Sequence, residues 1–259
     1  MTDEPLLRLE SINKSFGAVR ALENVSVEVR HAEILGLCGD NGAGKSTLIK
    51  IIAGVLQADS GAIYWDGKAA TLGHPDDAKR LGIETLYQDL GLINNLDIVA
   101  NTFLGRELVT VWPLGLVRVL RNREMEVQTK QILERLQISI GSVREKVEVL
   151  SGGQRQAVAL GRAVGWGKRL VLLDEPTAAL GVRESTQALE RIQHLRDEGI
   201  AVIFISHNLE HVFAVADRIV VLRQGIVRGE TDREHLDGDE VVSWITGSSE
   251  YKTHAPLFA

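Results

Sequence analysis

The sequence predicts an α/β protein with a mostly parallel main sheet, an N-terminal antiparallel β subdomain and an inserted helical lobe. The runs "RLVLLDE" and "IAVIFISH" are nearly all apolar over a strand length, as in strands covered by helices on both faces. Between them, Arg183 to Arg196 has a helical pattern, which completes a strand–helix–strand unit. Before residue 30, apolar and polar residues alternate, which predicts half-exposed antiparallel strands.

The other elements follow from local patterns. The stretch "EILGLCGDNGAGKSTLIKIIAG" predicts a strand, a glycine-rich loop and a short helix that stops at Gly54. Pro75 in "HPDDAKRLG" suits the first turn of a second helix. The strand "RIVVLRQG" and a helix at Asp239 to Ile245 close the predicted fold.

The predicted organisation is one domain over residues 1–247. Continuous apolar runs become rarer after about residue 90, and a helical face appears, so we place the helical lobe at about 90–165. Residues 248–259 are expected to form a flexible C-terminal tail.

Composition excludes several classes of protein. A net charge of −6 gives no basic footprint for DNA or RNA, so no nucleic-acid partner is expected. The single cysteine, Cys38, allows no internal disulfide, and we expect it to be a small buried hydrophobe. The N-terminal residues carry acids where a signal peptide has bases. No apolar run approaches the ~20 residues of a membrane span, so the chain itself is expected in the cytosol.

The loop "GDNGAGKS" satisfies the phosphate-binding pattern G-x-x-x-x-G-K-[ST] and predicts a P-loop NTPase core. Glycines let backbone N–H groups approach phosphates, Lys45 reaches the β- and γ-phosphates, and the Ser46 hydroxyl holds Mg²⁺. The alternative is an ordinary glycine turn, but the position between a strand and a helix favours the phosphate loop. The predicted nucleotide-binding residues here are Gly39, Asn41, Gly42, Ala43, Gly44, Lys45, Ser46 and Thr47.

Two acids follow the strand "LVLLDE". Asp174 at the strand end is the predicted second metal ligand, because ligands collect at the carboxyl ends of parallel strands. Glu175 is either a surface salt-bridge partner or the general base that polarises the attacking water, and its position favours the base.

A second anion-seeking turn, "LSGGQ" at Leu150 to Gln154, precedes a helical pattern. With this turn between the phosphate loop and "LVLLDE", the chain resembles the ATP-binding cassette family, the ATPase subunits of ABC transporters. The resemblance runs from about Leu7 to Ile245.

The resemblance implies further site residues. Phe16 matches the aromatic residue that stacks on adenine, although alone it would be interpreted as core. Gln88 matches a glutamine that contacts Mg²⁺ and water, and by itself would carry no signal. His207 matches the histidine that touches the γ-phosphate and helps to position the water.

The resemblance also implies an ATP-dependent homodimer. In this family two cassettes pair head to tail, so that the signature turn of one chain closes over the nucleotide of the other. The residues of this turn are Ser151, Gly152, Gly153 and Gln154. One position departs from the pattern: Gly181 follows "EPTAAL" where the family usually has Asp, which puts cross-talk between the two sites in doubt.

Within the family, "TAALG", "SHNLEHVFAVADRIVVLRQG" and "LGLINNLDIVANTFLGRE" look like monosaccharide importers. The implied partners are a membrane permease and, indirectly, an extracytoplasmic binding protein, with the chain peripheral on the cytoplasmic face of the membrane. Docking is expected near Gln88 to Leu104, unless those apolar residues are core of the lobe.

Three other functions stay open at this point. A soluble protein of this family acting on nucleic acid or ribosomes tends to show a coiled coil, a second cassette or a basic surface, none of which this sequence displays. A cassette for another solute has the same motifs, because a cassette does not touch the cargo. A protein that has lost hydrolysis is disfavoured, because all the expected catalytic residues are present.

Overall fold

The computed structural model describes residues 4–111, 118–178, 180–248 and 252–253. The strands are β1 Leu7–Phe16, β2 Val19–Val29, β3 Ile34–Cys38, β4 Ser60–Trp65, β5 Lys68–Ala69, β6 Ile83–Leu86, β7 Val109–Val111, β8 Arg118–Leu120, β9 Leu170–Asp174, β10 Ala201–Ile205, β11 Arg218–Arg223, β12 Ile226–Asp232 and β13 Lys252–Thr253. The helices are α1 Lys45–Ile52, α2 Pro75–Arg80, α3 Ile98–Thr102, α4 Asn122–Arg135, α5 Gly152–Trp166, α6 Val182–Asp197, α7 Leu209–Val215 and α8 Gly238–Thr246.

The N-terminal antiparallel subdomain is confirmed. Its four strands lie in the order β2-β1-β4-β5, and β1 pairs antiparallel with both β2 and β4. The buried side chains of β1, such as Leu7 and Leu9, pack in one core cluster with those of α1. This cluster fixes the first sheet against the main one.

The main sheet has the order β13-β12-β11-β3-β10-β9-β6, and the strands from β11 to β6 are parallel. Every residue of β3 and β10 is buried, as continuous apolar runs predict for a sheet covered on both faces. Cys38 is one of these residues, and burial raises the pKa of its thiol to about 12, so it is an inert hydrophobe. The carboxyl ends of β3, β6, β9 and β10 meet at one edge of the sheet.

The helical lobe contains a feature that the sequence analysis missed. Helices α3, α4 and α5 pack together, but β7 and β8 form an antiparallel hairpin between α3 and α4. All the side chains of these two strands are exposed, so neither strand has the buried apolar face by which a strand is recognised. The single domain at 1–247 with its lobe stays a prediction. The predicted tail lies outside the described residues, except for Ser248 and the backbone of β13, which pairs with β12.

A buried ionic cluster ties the two sheets together. Arg218, at the start of β11, is 3% exposed and donates from Nε to Glu33 Oε1 at 2.7 Å. It also pairs with Glu230 and donates from Nη2 to the Glu28 carbonyl in β2 at 2.7 Å. Burial raises the pKa of Glu230, against the opposing effect of Arg218. The guanidinium therefore neutralises two buried carboxylates.

Among the helices in the described part of the chain, none combines the length and the apolar character needed to cross a bilayer.

Candidate functional site

A cleft of about 390 Å³ lies at the carboxyl edge of the main sheet. Its walls come from the ends of β1, β9 and β10, the start of β2, the segment after β6 and the loop between β3 and α1. The residues that line it are Phe16, Val19, Arg20, Ala21, Asp40, Asn41, Gly42, Ala43, Gly44, Lys45, Ser46, Thr47, Gln88, Asp174, Glu175, Ile205 and His207. The fold thus brings together nearly all the predicted residues of the phosphate loop, the acidic pair, Phe16, Gln88 and His207.

The phosphate loop is shaped by glycines at its two ends. Gly39 follows β3 directly with φ +144, and a Cβ there would overlap the Leu222 carbonyl oxygen. Gly44, with φ +106, is the N-cap of α1 and offers no side chain to cap it. The backbone N–H groups in the first turn of α1 therefore receive no side-chain cap from Gly44. The helix dipole at this end favours an anion.

Lys45 is 7% exposed and folds over the loop. Its Nζ donates to the Gly39 carbonyl at 2.6 Å and to the Asp40 carbonyl at 3.0 Å. Burial lowers the pKa of Lys45, and the nearby Glu175 carboxylate opposes that effect. The loop carbonyls thus hold the ammonium at the place where phosphate groups are expected.

Glu175 has a strained backbone. It follows Asp174, the last residue of β9, and adopts φ +56, which costs a non-glycine residue about 1–3 kcal/mol. Its N–H donates to the Ile205 carbonyl at 3.0 Å, so the sheet holds the strained conformation in place. Strain of this kind concentrates at functional sites, which favours the general base over a surface ion pair.

The environment of Glu175 suits a base. The residue is 8% exposed, and burial raises the pKa of its carboxyl, with a further rise from Asp174 and an opposing effect of His207. His207 Nε2 lies 3.4 Å from Glu175 Oε1, too poorly placed for a hydrogen bond, and Oε1 has no hydrogen-bond partner among the described residues. A buried acceptor without a partner is ready to take a proton from water.

Phe16 forms an apolar wall of the cleft. It is 48% exposed, so its interpretation as core is wrong. Lys14 Nζ lies 5.7 Å from the ring centroid and is held by Asp59 Oδ1 at 2.6 Å. Val19 and Arg20 line the same cleft and were missed by the sequence analysis. Nothing in the sequence marks them except their position shortly after Phe16.

The oxygen atoms in the cleft fit Mg²⁺. Ser46, Gln88 and Asp174 offer a hydroxyl, an amide carbonyl and a carboxylate, the hard ligands that Mg²⁺ prefers. Burial raises the pKa of Asp174, and Lys45 opposes the effect. Within the described ranges no group of three or more His, Cys, Asp or Glu forms a metal site.

The signature turn lies elsewhere. Ser151 is the N-cap of α5: its Oγ accepts from Gln154 N–H at 3.2 Å, and its own N–H donates to Gln154 Oε1 at 2.9 Å. The hydroxyl hydrogen of Ser151 takes no part in this capping box. Ser151, Gly153 and Gln154 line a second cavity of about 430 Å³, so one chain does not bring them into the cleft.

Gly181, the departure from the family pattern, is the N-cap of α6. A Cβ at this position would lie 2.5 Å from Glu184 Oε2, and the stem of Glu184 also passes close to Gly153. The carboxylate of Glu184 therefore occupies the space next to Gly181.

Comparison with known proteins identifies the family. A family model described as "ABC transporter" matches residues 22–178, which is more than half of the chain. The chain belongs to the ATP-binding cassette family of ABC transporters. Cassettes of this family are ATPases, so the P-loop NTPase core predicted from the sequence is confirmed.

The curated relatives of the cassette are named as sugar import proteins. It is 45% identical to the xylose/arabinose import ATP-binding protein of Sulfolobus acidocaldarius, over 93% of this chain and 94% of the relative. It is 42% identical to the fructose import ATP-binding protein of Rhizobium meliloti, over 96% and 97% of the two chains. A ribose import ATP-binding protein of Escherichia coli O157:H7 is 40% identical over 95% of the cassette, which spans 47% of that longer chain.

Solved structures show the same fold. The ADP conformation of MJ1267, an ATP-binding cassette of an ABC transporter, has a TM-score of 0.81 and 29% identity, covering 94% of this chain and 99% of that one. A nucleotide-free ATP-binding cassette from an ABC transporter has a TM-score of 0.78 and 28% identity, covering 94% and 95%.

Proposed function

We propose that the cassette is the ATPase subunit of an importer that takes up a simple sugar. It works on the cytoplasmic face of the membrane, beneath a permease that receives the sugar from an extracytoplasmic binding protein. The support is the agreement of three relatives at 40–45% identity, all named as sugar import ATP-binding proteins.

A head-to-tail homodimer is the second part of the proposal. The observation that carries it is the separation of the two phosphate-seeking turns into different cavities of one chain. The cleft supplies the phosphate loop and the base, whereas the free hydroxyl hydrogen of Ser151 and the α5 N-terminus lie outside it. A second copy with its Ser151 turn over the cleft completes the site.

Hydrolysis follows from the groups in the cleft. The phosphate loop and Lys45 bind the β- and γ-phosphates, and Phe16 stacks on the adenine ring. Glu175 accepts the proton of the attacking water, and the exposed His207 imidazole next to it contacts the γ-phosphate. Ser46 and Asp174, with Gln88, would hold Mg²⁺, which would supply positive charge to the phosphate oxygens when bound.

Permease docking is proposed on the exposed part of the segment Gln88 to Leu104. Ile93 and Leu104 are 40% and 44% exposed, although both are large and apolar. Ile98, Val99 and Phe103 are fully buried, so for these three the core interpretation holds.

The first test is a pull-down of the tagged protein from gently solubilised membranes of its own host, with mass spectrometry of the bound proteins. We expect a multi-span permease, and its loss in an Ile93→Asp/Leu104→Asp variant. Val242→Asp is the matched control, because Val242 is an apolar residue on α8 with a similar exposure of 43%. Recovery of only soluble proteins or ribosomes contradicts the import proposal.

The dimer has its own test. Light scattering of Glu175→Gln is expected to show a doubled mass with Mg-ATP and a monomer without it, since the variant binds ATP but cleaves it slowly. An unchanged mass contradicts a composite site between two isolated cassettes. Permease binding is tested separately by the pull-down.

A further inference from the structure

The segment that carries Gln88 is fastened to helix α5 by one arginine. Arg162 Nη1 donates to the Gly91 carbonyl at 2.7 Å, and Nη2 donates to the Leu90 carbonyl at 2.7 Å. Both distances are those of strong, charge-assisted hydrogen bonds, and the planar fork of a guanidinium matches two adjacent acceptors. The two carbonyls lie two and three residues after Gln88, which lines the nucleotide cleft.

The surroundings of this contact restrict its geometry. Gly91 has φ +57, and a Cβ there would lie 3.3 Å from Arg162 Nη2, so glycine keeps the approach open. One turn further along α5, Trp166 Nε1 donates to the Thr102 carbonyl at 2.9 Å, and the ring packs edge-on against Phe103. Helix α5 is thus joined to both ends of the segment that runs from Gln88 to α3.

The same helix begins at the signature turn. Ser151 caps α5, and Arg162 lies eleven positions later, about 16 Å along the helix axis. The Arg162 fork therefore joins the two phosphate-binding regions of one chain.

We propose that Arg162 is a positioning residue that holds the Leu90–Gly91 backbone against helix α5, so that the Gln88 side chain is kept in the cleft. This inference deepens the proposed function, because it rests on the role of Gln88 in ATP hydrolysis. The contact acts through the backbone, and Arg162 itself does not touch the nucleotide.

The test uses both sides of the contact. Arg162→Lys keeps the charge but loses the fork, and Gly91→Ala crowds Nη2. For each variant we expect at least a tenfold lower kcat for ATP hydrolysis with KM within twofold, because the phosphate loop and Phe16 are untouched. The double variant should lose no more than the worse single variant, since both changes break one contact.

Arg135→Lys is the matched control. Arg135 donates from Nε to Glu198 Oε1 at 2.9 Å and to Glu198 Oε2 at 2.8 Å, and it lines neither the cleft nor the cavity of the signature turn. We expect this variant to keep its kcat.

Amide hydrogen exchange by mass spectrometry provides a readout that needs no turnover. In Arg162→Lys, residues 88–93 should exchange at least tenfold faster, while residues 39–47 stay unchanged. A normal exchange rate at 88–93, or acceleration that spreads over the whole chain, overturns the proposal. Because these assays use the isolated cassette, their results do not depend on permease binding or on the identity of the cargo.

Discussion

Replacement of Glu175, the proposed general base, gives the sharpest test of the cleft. Glu175→Gln keeps the size and shape of the side chain but removes its capacity to accept a proton. A positioned general base contributes about 10²–10⁴ in rate, or about 2.7–5.4 kcal/mol of barrier. We therefore expect turnover to fall at least ~100-fold, with an ATP Kd within about twofold of the native value, because the phosphate loop is intact.

The same substitution has a stability consequence whose sign follows from burial. The pKa of Glu175 is raised in the folded chain, so ionisation at neutral pH costs stability, and this cost appears as the pH rises through the folded pKa. Glu175→Gln removes the buried charge. We expect its Tm at neutral pH to be equal to or above that of the native protein.

The assay is single-turnover hydrolysis of radiolabelled ATP. Nucleotide binding and thermal unfolding are measured on the same samples. Glu210→Gln is the control, because Glu210 is an exposed acid in the first turn of α7, close to His207 in the chain. Near-native turnover of Glu175→Gln would refute the role of the base. A large drop in Tm would refute the stability cost assigned to the buried Glu175 carboxylate.

Three further outcomes are expected. Phe16→Ala should raise the ATP Kd about 3- to 10-fold and Phe16→Tyr should not, as fluorescent nucleotide titration will show; equal loss in both excludes stacking. Arg218→Met should lower the free energy of unfolding by about 3–5 kcal/mol in urea at pH 7. At pH 5 part of the lost stability should return, because the raised pKa of Glu230 lets the folded state bind a proton at a higher pH than the unfolded state does. An equal loss at pH 7 and pH 5 contradicts this explanation. Gly229→Ala should cost about 1–3 kcal/mol, because its Cβ would overlap the Trp244 ring, and an unchanged Tm contradicts that packing.

The contiguous parts of the site were predictable from sequence. The phosphate loop and the pair Asp174–Glu175 are short motifs, and their strands end at one sheet edge because parallel topology requires it. Phe16, Gln88 and His207 had almost no signal of their own, and only the order of motifs in a known family selected them. Their lining of one cleft follows from long-range packing, which local patterns do not encode.

Other features were missed for identifiable reasons. Among the described residues, β7 and β8 pair only with each other and all their side chains are exposed, so neither strand has the buried face that would mark it. Arg162 is one of several polar residues of helix α5, and its partners are backbone carbonyls far away in the chain. Ile98, Val99 and Phe103 have the composition of a docking surface, yet they face inward. Apolar composition alone does not separate a core from an interface.

The capping box of α5 has a consequence for association between cassettes. Because Gln154 already holds Ser151 on both sides, the hydroxyl is ordered before any nucleotide or second chain arrives. Most of the conformational entropy of that side chain is lost at folding, so less remains to be lost on binding. The turn therefore behaves as a preorganised receptor, and substitution at Gln154 would weaken the proposed complex by loosening Ser151 as well as by removing the Gln154 side chain.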